Sequence, residues 1–417
     1  MAVKRFSDGS SIKNSFKLSR GATSVAIPDT PTIGAATSTG STTATVAYTA
    51  AALGALASTF TATSTPSSIT GTGSSPITVS NLVGSTSYTF TVKATNANGD
   101  SPASSASNSI TTDTPPPEAA YFAGGYNYPN ATRTNGIDKI AFSNDAKTTL
   151  SATLTSASAA LAGLANSGTA GYFAGGENNS SAQLSSIDKL AFSADTKTTL
   201  SATLTSARQS LAGMANSGTA GYFSGGYSGS WLNGIDKIAF SNDAKTTLSA
   251  TLSVARGYAT GCANSGTAGY TGSGYTGSGY VNSVNKVDFS NDTVSTLSAT
   301  LTCTGTDNCA AANSGTAGYW AGGATSNGSV LVNSIDKIVF SSDTKSTISA
   351  TTPTVTYQMA GAAKSGTAAY YAGGVISGTS TDRILKLTFS GETISTLSAT
   401  LTAGQVVPGG AANSGTL

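Results

Sequence analysis

From residue 119 to the end of the chain, short runs of alternating apolar and small polar residues return in a fixed order, separated by glycine, serine, threonine and asparagine. An Asn-Ser-Gly-Thr signature starts at Asn166, Asn216, Asn264, Asn313 and Asn413, with Lys364 taking the place of asparagine in one copy. The steps are 50, 48, 49, 51 and 49 residues, a period that marks a solenoid, a propeller or an array. One unit reads as four strand-like pieces, residues 170–174, 187–192, 198–204 and 211–215, joined by the signature turn and by a short polar turn at 193–196. Four antiparallel strands at this period predict a propeller blade. Residues 119–417 hold six such units, the first beginning at its second strand and the last ending on a first strand. The C-terminal segment is therefore predicted to close the ring and remove an unpaired edge.

Upstream, residues 27–114 alternate in short strands between turns, the pattern of a small β-sandwich. The clearest alternation is Tyr88, Phe90, Val92 and Ala94, followed by a hairpin turn at Asn98-Gly99. These residues resemble the fibronectin type III domain, with Tyr88 as the corner tyrosine, Asn96 and Gly99 as the turn, and Tyr48 where the family has a core tryptophan. The module is expected to act as a spacer. Pro115, Pro116 and Pro117 fall in residues 115–118, read as a semi-rigid linker.

The repeats are similar to divergent kelch repeats, in which a strand ends in Gly-Gly, a variable loop follows, and the unit closes near an arginine. The doublets begin at Gly124, Gly175, Gly225, Gly322 and Gly373, while the fourth copy has Gly272-Ser273-Gly274. Arg208 and Arg256 stand at the closing position. The expected fold is all-β, a fibronectin type III-like sandwich followed by a six-bladed kelch-like β-propeller.

Composition narrows the chemistry. Histidine is absent and only 10% of the 417 residues are charged, which removes the commonest general base and metal ligand. The net charge of +2 leaves no large basic surface for nucleic acid. Three cysteines make no disulfide framework; Cys303 and Cys309 either close a small loop or remain thiols. No stretch reaches the length of a membrane span, and the N-terminal residues lack a signal-peptide core. No cofactor and no metal are expected. A copper oxidase of the galactose oxidase type resembles this fold but needs histidines, and a sialidase needs more arginines than Arg133, Arg208, Arg256 and Arg383 supply.

Residues 1–26 form a basic arm carrying Lys4, Arg5, Phe6, Ile12, Lys13, Phe16, Lys17, Leu18 and Arg20. It reads either as a disordered tail or as a docking peptide that orders on a partner. An acidic residue recurs in every second turn, at Asp145, Asp195, Asp243, Asp292, Asp343 and Glu392, and is expected to cap its own turn. A lysine recurs in every third strand, at Lys139, Lys189, Lys237, Lys286, Lys337 and Lys386, where sixfold repetition argues for packing or pairing between units.

Variation gathers on the opposite face. Its loops carry Tyr126, Tyr128, Arg133, Trp231, Tyr275, Tyr280, Arg208, Arg256, Tyr258 and Tyr357, a set suited to stacking on sugar rings, or else drifting solvent loops. The expected function is a non-enzymatic bacteriophage virion structural protein, a tail, fibre or capsid-decoration component. Such a protein is assembled in the host cytoplasm, released by lysis and present in multiple copies on a symmetric particle. The arm would bind other virion proteins and the propeller a host-surface glycan or a virion protein, with no membrane insertion. The alternative is a bacterial surface or secreted carbohydrate-binding protein.

Overall fold

A computed structural model describes residues 26–113, 118–128, 130–303, 305–306, 308–325 and 330–413. The basic arm, including Lys4, Arg5, Phe6, Ile12, Lys13, Phe16, Lys17, Leu18 and Arg20, lies outside the described residues, as do Pro115, Pro116 and Pro117 of the linker. The described residues are all-β, in small antiparallel sheets. They divide into two compact units, Met1–Pro115 and Pro116–Leu417.

In the first unit, Thr32–Ser38, Ala44–Thr49 and Ile77–Val79 form one sheet. Thr70–Thr72, Thr59–Thr65, Ser87–Asn96 and Gly99–Asp100 form another, with Ile110–Thr111 pairing Ser87–Asn96. The alternation in Ser87–Asn96 sends Tyr88, Phe90, Val92 and Ala94 inward, the first three into one core cluster with Val46, Ile77 and Val79. The Tyr88 hydroxyl accepts from the Val83 backbone N–H at 3.0 Å, so a buried phenol fixes the chain entering its own strand. Tyr48 is only half-buried; it packs on Phe60 at 4.5 Å and donates to the Gly73 carbonyl.

Among the described residues the second unit contains six four-stranded antiparallel sheets, numbered here I to VI. Sheet I takes its first strand from the C-terminal Gly409–Ala412, which pairs with Ala119–Ala123; Ile137–Ala141 and Lys147–Thr149 follow outward. Sheets II to VI are each continuous in sequence and begin with Ala162–Asn166, Ala212–Asn216, Thr260–Asn264, Cys309–Asn313 and Ala360–Lys364. Successive first strands lie side by side, and Gly409–Ala412 lies beside both Ala360–Lys364 and Ala162–Asn166. Each first strand therefore has two first-strand neighbours. The approach is so close that a Cβ on Gly163, Gly213, Gly361 or Gly410 would collide with the carbonyl oxygen of the adjacent strand. Small residues are required there by contact rather than by turn geometry.

The repeated signature is explained by bonds between turns. The Asn166 side chain accepts from the Gly218 N–H and Asn216 from Gly266, while the Ser167 and Ser217 N–H groups donate to the hydroxyls of Ser217 and Ser265. The glycine of the turn sits at positive φ, 73° at Gly168 and 79° at Gly218, where a side chain would be strained.

The acidic residues of the second turns do not cap their own turns, contrary to the sequence expectation. Asn144, Asn242 and Asn291 do that, each accepting from an N–H two residues on. The carboxylates instead reach the preceding sheet. Tyr121 and Lys139 of sheet I both donate to Asp195 of sheet II, at 3.1 and 2.7 Å. The same arrangement joins Tyr172 and Lys189 to Asp243, Tyr222 and Lys237 to Asp292, and Tyr270 and Lys286 to Asp343. It continues with Tyr319 and Lys337 on Glu392, and Tyr370 and Lys386 of sheet VI on Asp145 of sheet I. Each tyrosine also packs on a phenylalanine of the next sheet, stacked as Tyr222 is on Phe289 at 5.0 Å or, for Tyr370 on Phe142, tilted. The lysine ammonium sits over the ring of the tyrosine in its own sheet, 5.2 Å from its centre at Lys237.

A second tie uses buried acids of the third strands. Asp188 accepts from the N–H and hydroxyl of Thr155, Asp236 from Thr205, Asp336 from Thr302 and Asp138 from Thr402. The chain leaving one sheet is thereby held to the next. Cys262, Cys303 and Cys309 are buried thiols, and the Cys303 and Cys309 sulfurs donate to the Ala324 and Ala321 carbonyls.

Candidate functional site

The connections between second and third strands and those leading into first strands meet on one face. Ala159 pairs with Glu177, Gln209 with Tyr227, Gly257 with Tyr275, Tyr357 with Val375 and Val406 with Tyr126. The residue after each of these turns left-handed, with φ of 55° at Ala160, 57° at Ser210, 54° at Tyr258, 61° at Gln358 and 47° at Val407. Their backbones are bonded in series, Val407 to Gln358, Ala160 to Val407, Ser210 to Ala160 and Tyr258 to Ser210. Left-handed backbone at a tyrosine, a glutamine and a β-branched valine is costly and is retained where the surroundings over-determine it. These residues surround a cavity of only about 90 Å³.

A larger cleft of about 480 Å³ opens beside it, between the loops of sheets I and II. Its lining includes Tyr126, Arg133, Glu177 and Asn179 together with Gln209, Tyr258 and Gln358. Arg133 is fixed from three directions. Its guanidinium pairs with Glu177, lies over the Tyr126 ring at 5.4 Å, and its backbone N–H donates to the Asn179 side chain at 2.8 Å. Its Nε is buried with no hydrogen-bond partner among the described residues. Among the described residues, Glu177 is the only carboxylate in the lining, and it is committed to Arg133.

The neighbouring part of the face is aromatic. Trp231 lies 4.7 Å from Tyr227, 5.2 Å from Tyr275 and 5.9 Å from Tyr258, and Tyr280 lies 4.9 Å from Tyr275, all half-buried. Tyr258 belongs to both groups, lining the cleft and touching the tryptophan.

Of the residues expected on this face, Tyr126, Arg133 and Tyr258 line the cleft, and Trp231, Tyr275 and Tyr280 build the aromatic cluster beside it. Tyr128 is 48% exposed and its backbone pairs with Ser380; Tyr357 pairs with Val375; neither lines the cleft. Arg208 and Arg256 are not surface groups at all. Arg208 is 2% exposed and donates to the Phe223 carbonyl and Asp236. Arg256 is fully buried, donating to the carbonyls of Ser273 and Ser283 and to the side chains of Ser283 and Asn285. Burial draws the Arg256 pKa down to about 10, and Asn285 stands where sheets I, II, III and V place an aspartate and sheet VI a leucine, Leu385. Both arginines brace the loop from inside, which follows from a closing position that is turned toward the third strand.

Sequence reasoning missed Glu177, Asn179, Gln209 and Gln358. A signal exists for Glu177: it is the acidic residue among the positions directly after the glycine doublets, where Tyr126 and Tyr227 stand in neighbouring copies. The described residues contain no group of three or more His, Cys, Asp and Glu able to hold a metal, and no helix long and apolar enough to cross a membrane. Comparison of the sequence with protein-family models and with curated proteins finds no match.

Proposed function

We propose that this chain is a non-enzymatic bacteriophage virion structural protein, a tail, fibre or capsid-decoration component. In this reading a fibronectin type III-like sandwich precedes a six-bladed kelch-like β-propeller, and the loop face of the propeller meets a host surface or another virion protein. The basic arm anchors the chain to the particle. The sandwich assignment is supported by the two sheets of the first unit and by the Tyr88 hydroxyl held at the Val83 N–H. Support for the propeller comes from the two first-strand neighbours of every first strand and from the tie that returns from Tyr370 and Lys386 to Asp145.

The observation that carries the functional reading is a division of labour. The repeated tyrosines, lysines and turn carboxylates are consumed in joining sheets. The unrepeated aromatic, amide and charged residues collect on one loop face around a cleft. Binding function resides where a rigid scaffold displays variable loops. The test is immunogold electron microscopy of a lysate from the source with an antibody to residues 119–417. Label on particles is expected, and its position on head or tail separates decoration from fibre. Label confined to cell envelopes rejects the virion reading in favour of a bacterial surface carbohydrate-binding protein.

A further inference from the structure

We infer that the cleft between the loops of sheets I and II is a binding site for an uncharged saccharide, with Tyr258 as the stacking platform. The inference rests on the reading of the loop face as the binding face and adds the class of ligand. Size and place together point to this cavity. At about 480 Å³ it falls in the range of small-molecule sites, about 300–1,000 Å³, as do a cavity of about 400 Å³ in the first unit and one of about 710 Å³ along the outer strands of sheets I and II, but it is the one of these three lined by Tyr126, Arg133 and Tyr258 of the loop face.

The lining has the two kinds of surface that a sugar requires. The C–H face of a pyranose packs on an aromatic ring, and its hydroxyls need donors and acceptors at the rim. Tyr126 is already covered by the Arg133 guanidinium. Tyr258 lines the cleft half-buried and meets Trp231 at a tilt of 50°, so the two rings do not lie flat on each other. Its left-handed backbone, φ 54°, is bonded to Ser210, which presets the ring before any ligand arrives. Around it stand the side-chain amides of Gln209, Gln358 and Asn179. Among the described residues the Gln209 amide makes no hydrogen bond, and the buried Arg133 Nε lacks a partner. The Gln209 amide can meet a ligand hydroxyl, whereas the Arg133 Nε has no accessible surface and lies out of a ligand's reach.

Charge selects the class of sugar. The lining contains one cation and one anion, Arg133 and Glu177, and they are paired to each other. An acidic sugar finds no uncommitted cation and meets the Glu177 carboxylate, so desolvating its own carboxylate goes uncompensated. A neutral hexose or N-acetylhexosamine carries no such cost.

Isothermal titration of the full chain with maltotriose, cellotriose and tri-N-acetylchitotriose as neutral probes, and trigalacturonate as the acidic probe, tests this. At least one neutral probe is expected to bind with Kd of about 1 mM or tighter, with trigalacturonate at least tenfold weaker. Binding should also shift the emission of Trp231, which touches Tyr258. Tyr258→Asn keeps a residue that tolerates left-handed backbone and removes the ring; it should lose at least tenfold in affinity, as Gln209→Ala should in smaller measure, while Tyr128→Ala, outside the cleft, should not. No binding by any neutral probe, preference for trigalacturonate, or unchanged affinity in a folded Tyr258→Asn and in Gln209→Ala overturns the inference. These outcomes are independent of where the protein sits. Loss of sugar binding with label still on particles leaves the virion reading standing, and sugar binding without particle label discards it alone.

Discussion

At the scale of the residue, the same amino acid carries different constraints depending on what faces it. Gly213 has no turn to make; it is required because the neighbouring first strand brings the Gly163 carbonyl where a Cβ would be. Gly234 has open space around its missing Cβ and no left-handed backbone. Gly213→Ala is therefore expected to cost about 1–3 kcal/mol, as overpacking does, and Gly234→Ala to be neutral or slightly stabilising through the unfolded chain. Calorimetric Tm values for the pair check this; equal effects would mean that the first strands can separate. Asp236 shows how context sets charge. Burial alone would raise its pKa, but hydrogen bonds from Thr205 and Thr247, with the charge of Arg208, hold it below the ordinary carboxylate value. Its contribution to stability is thus present above that ordinary value and is lost as the pH falls through the depressed one.

At the scale of the element, the unit that matters is the tie between sheets. Tyr121, Tyr172, Tyr222, Tyr270, Tyr319 and Tyr370 are each buried, which raises their pKa above the ordinary value of 10.0, and the carboxylate that each one meets raises it further. In the unfolded chain these phenols ionise near pH 10, whereas in the folded chain they stay protonated. The folded state then binds more protons above that pH, so the stabilisation is complete below pH 10 and declines as pH rises. Each tyrosine contributes about 1.4 kcal/mol per pH unit to the decline. Absorbance at 295 nm is expected to rise abruptly, together with loss of the far-ultraviolet β signal. Ionisation of these six rings near pH 10 in a chain that stays folded would contradict their burial. The alternation of Tyr and Phe with small residues was legible in the sequence. The role of Asp195 or Glu392 was not, because an acid in a turn looks the same whether it bonds its own backbone or the sheet beside it. Arg208 and Arg256 failed for a related reason: an arginine in a loop reads as exposed until its direction is known.

At the scale of the whole molecule, the first strand of sheet I comes from the opposite end of the chain. Gly409–Ala412 pairs with Ala119–Ala123, the Asn413 N–H donates to the Ala119 carbonyl, and Thr402 clamps Asp138. Deleting residues 409–417 should expose the edges of Ala119–Ala123 and of two first strands and cost cooperative unfolding. A single sharp transition at the wild-type temperature, followed by circular dichroism, would show that the terminal strand is dispensable.

By itself the sequence determined what is local: the order of strands within a unit, the glycine turns, the period near 50 residues, and the gathering of unrepeated residues into one set of loops, though not strand ends, since the fourth strand expected over residues 198–204 runs Thr196–Thr199. These follow from φ/ψ preferences and the two-residue alternation of strands, which act within a few residues. Only the tertiary structure decided which groups meet across sheets. It placed Tyr370 and Lys386 on Asp145, more than two hundred residues away in sequence, buried two arginines, and drew Arg133, Glu177, Asn179, Gln209 and Tyr258 from different connections around one cleft. Such contacts depend on which strand lies beside which and on where a side chain points after packing, and neither is encoded in the periodicity of a single segment.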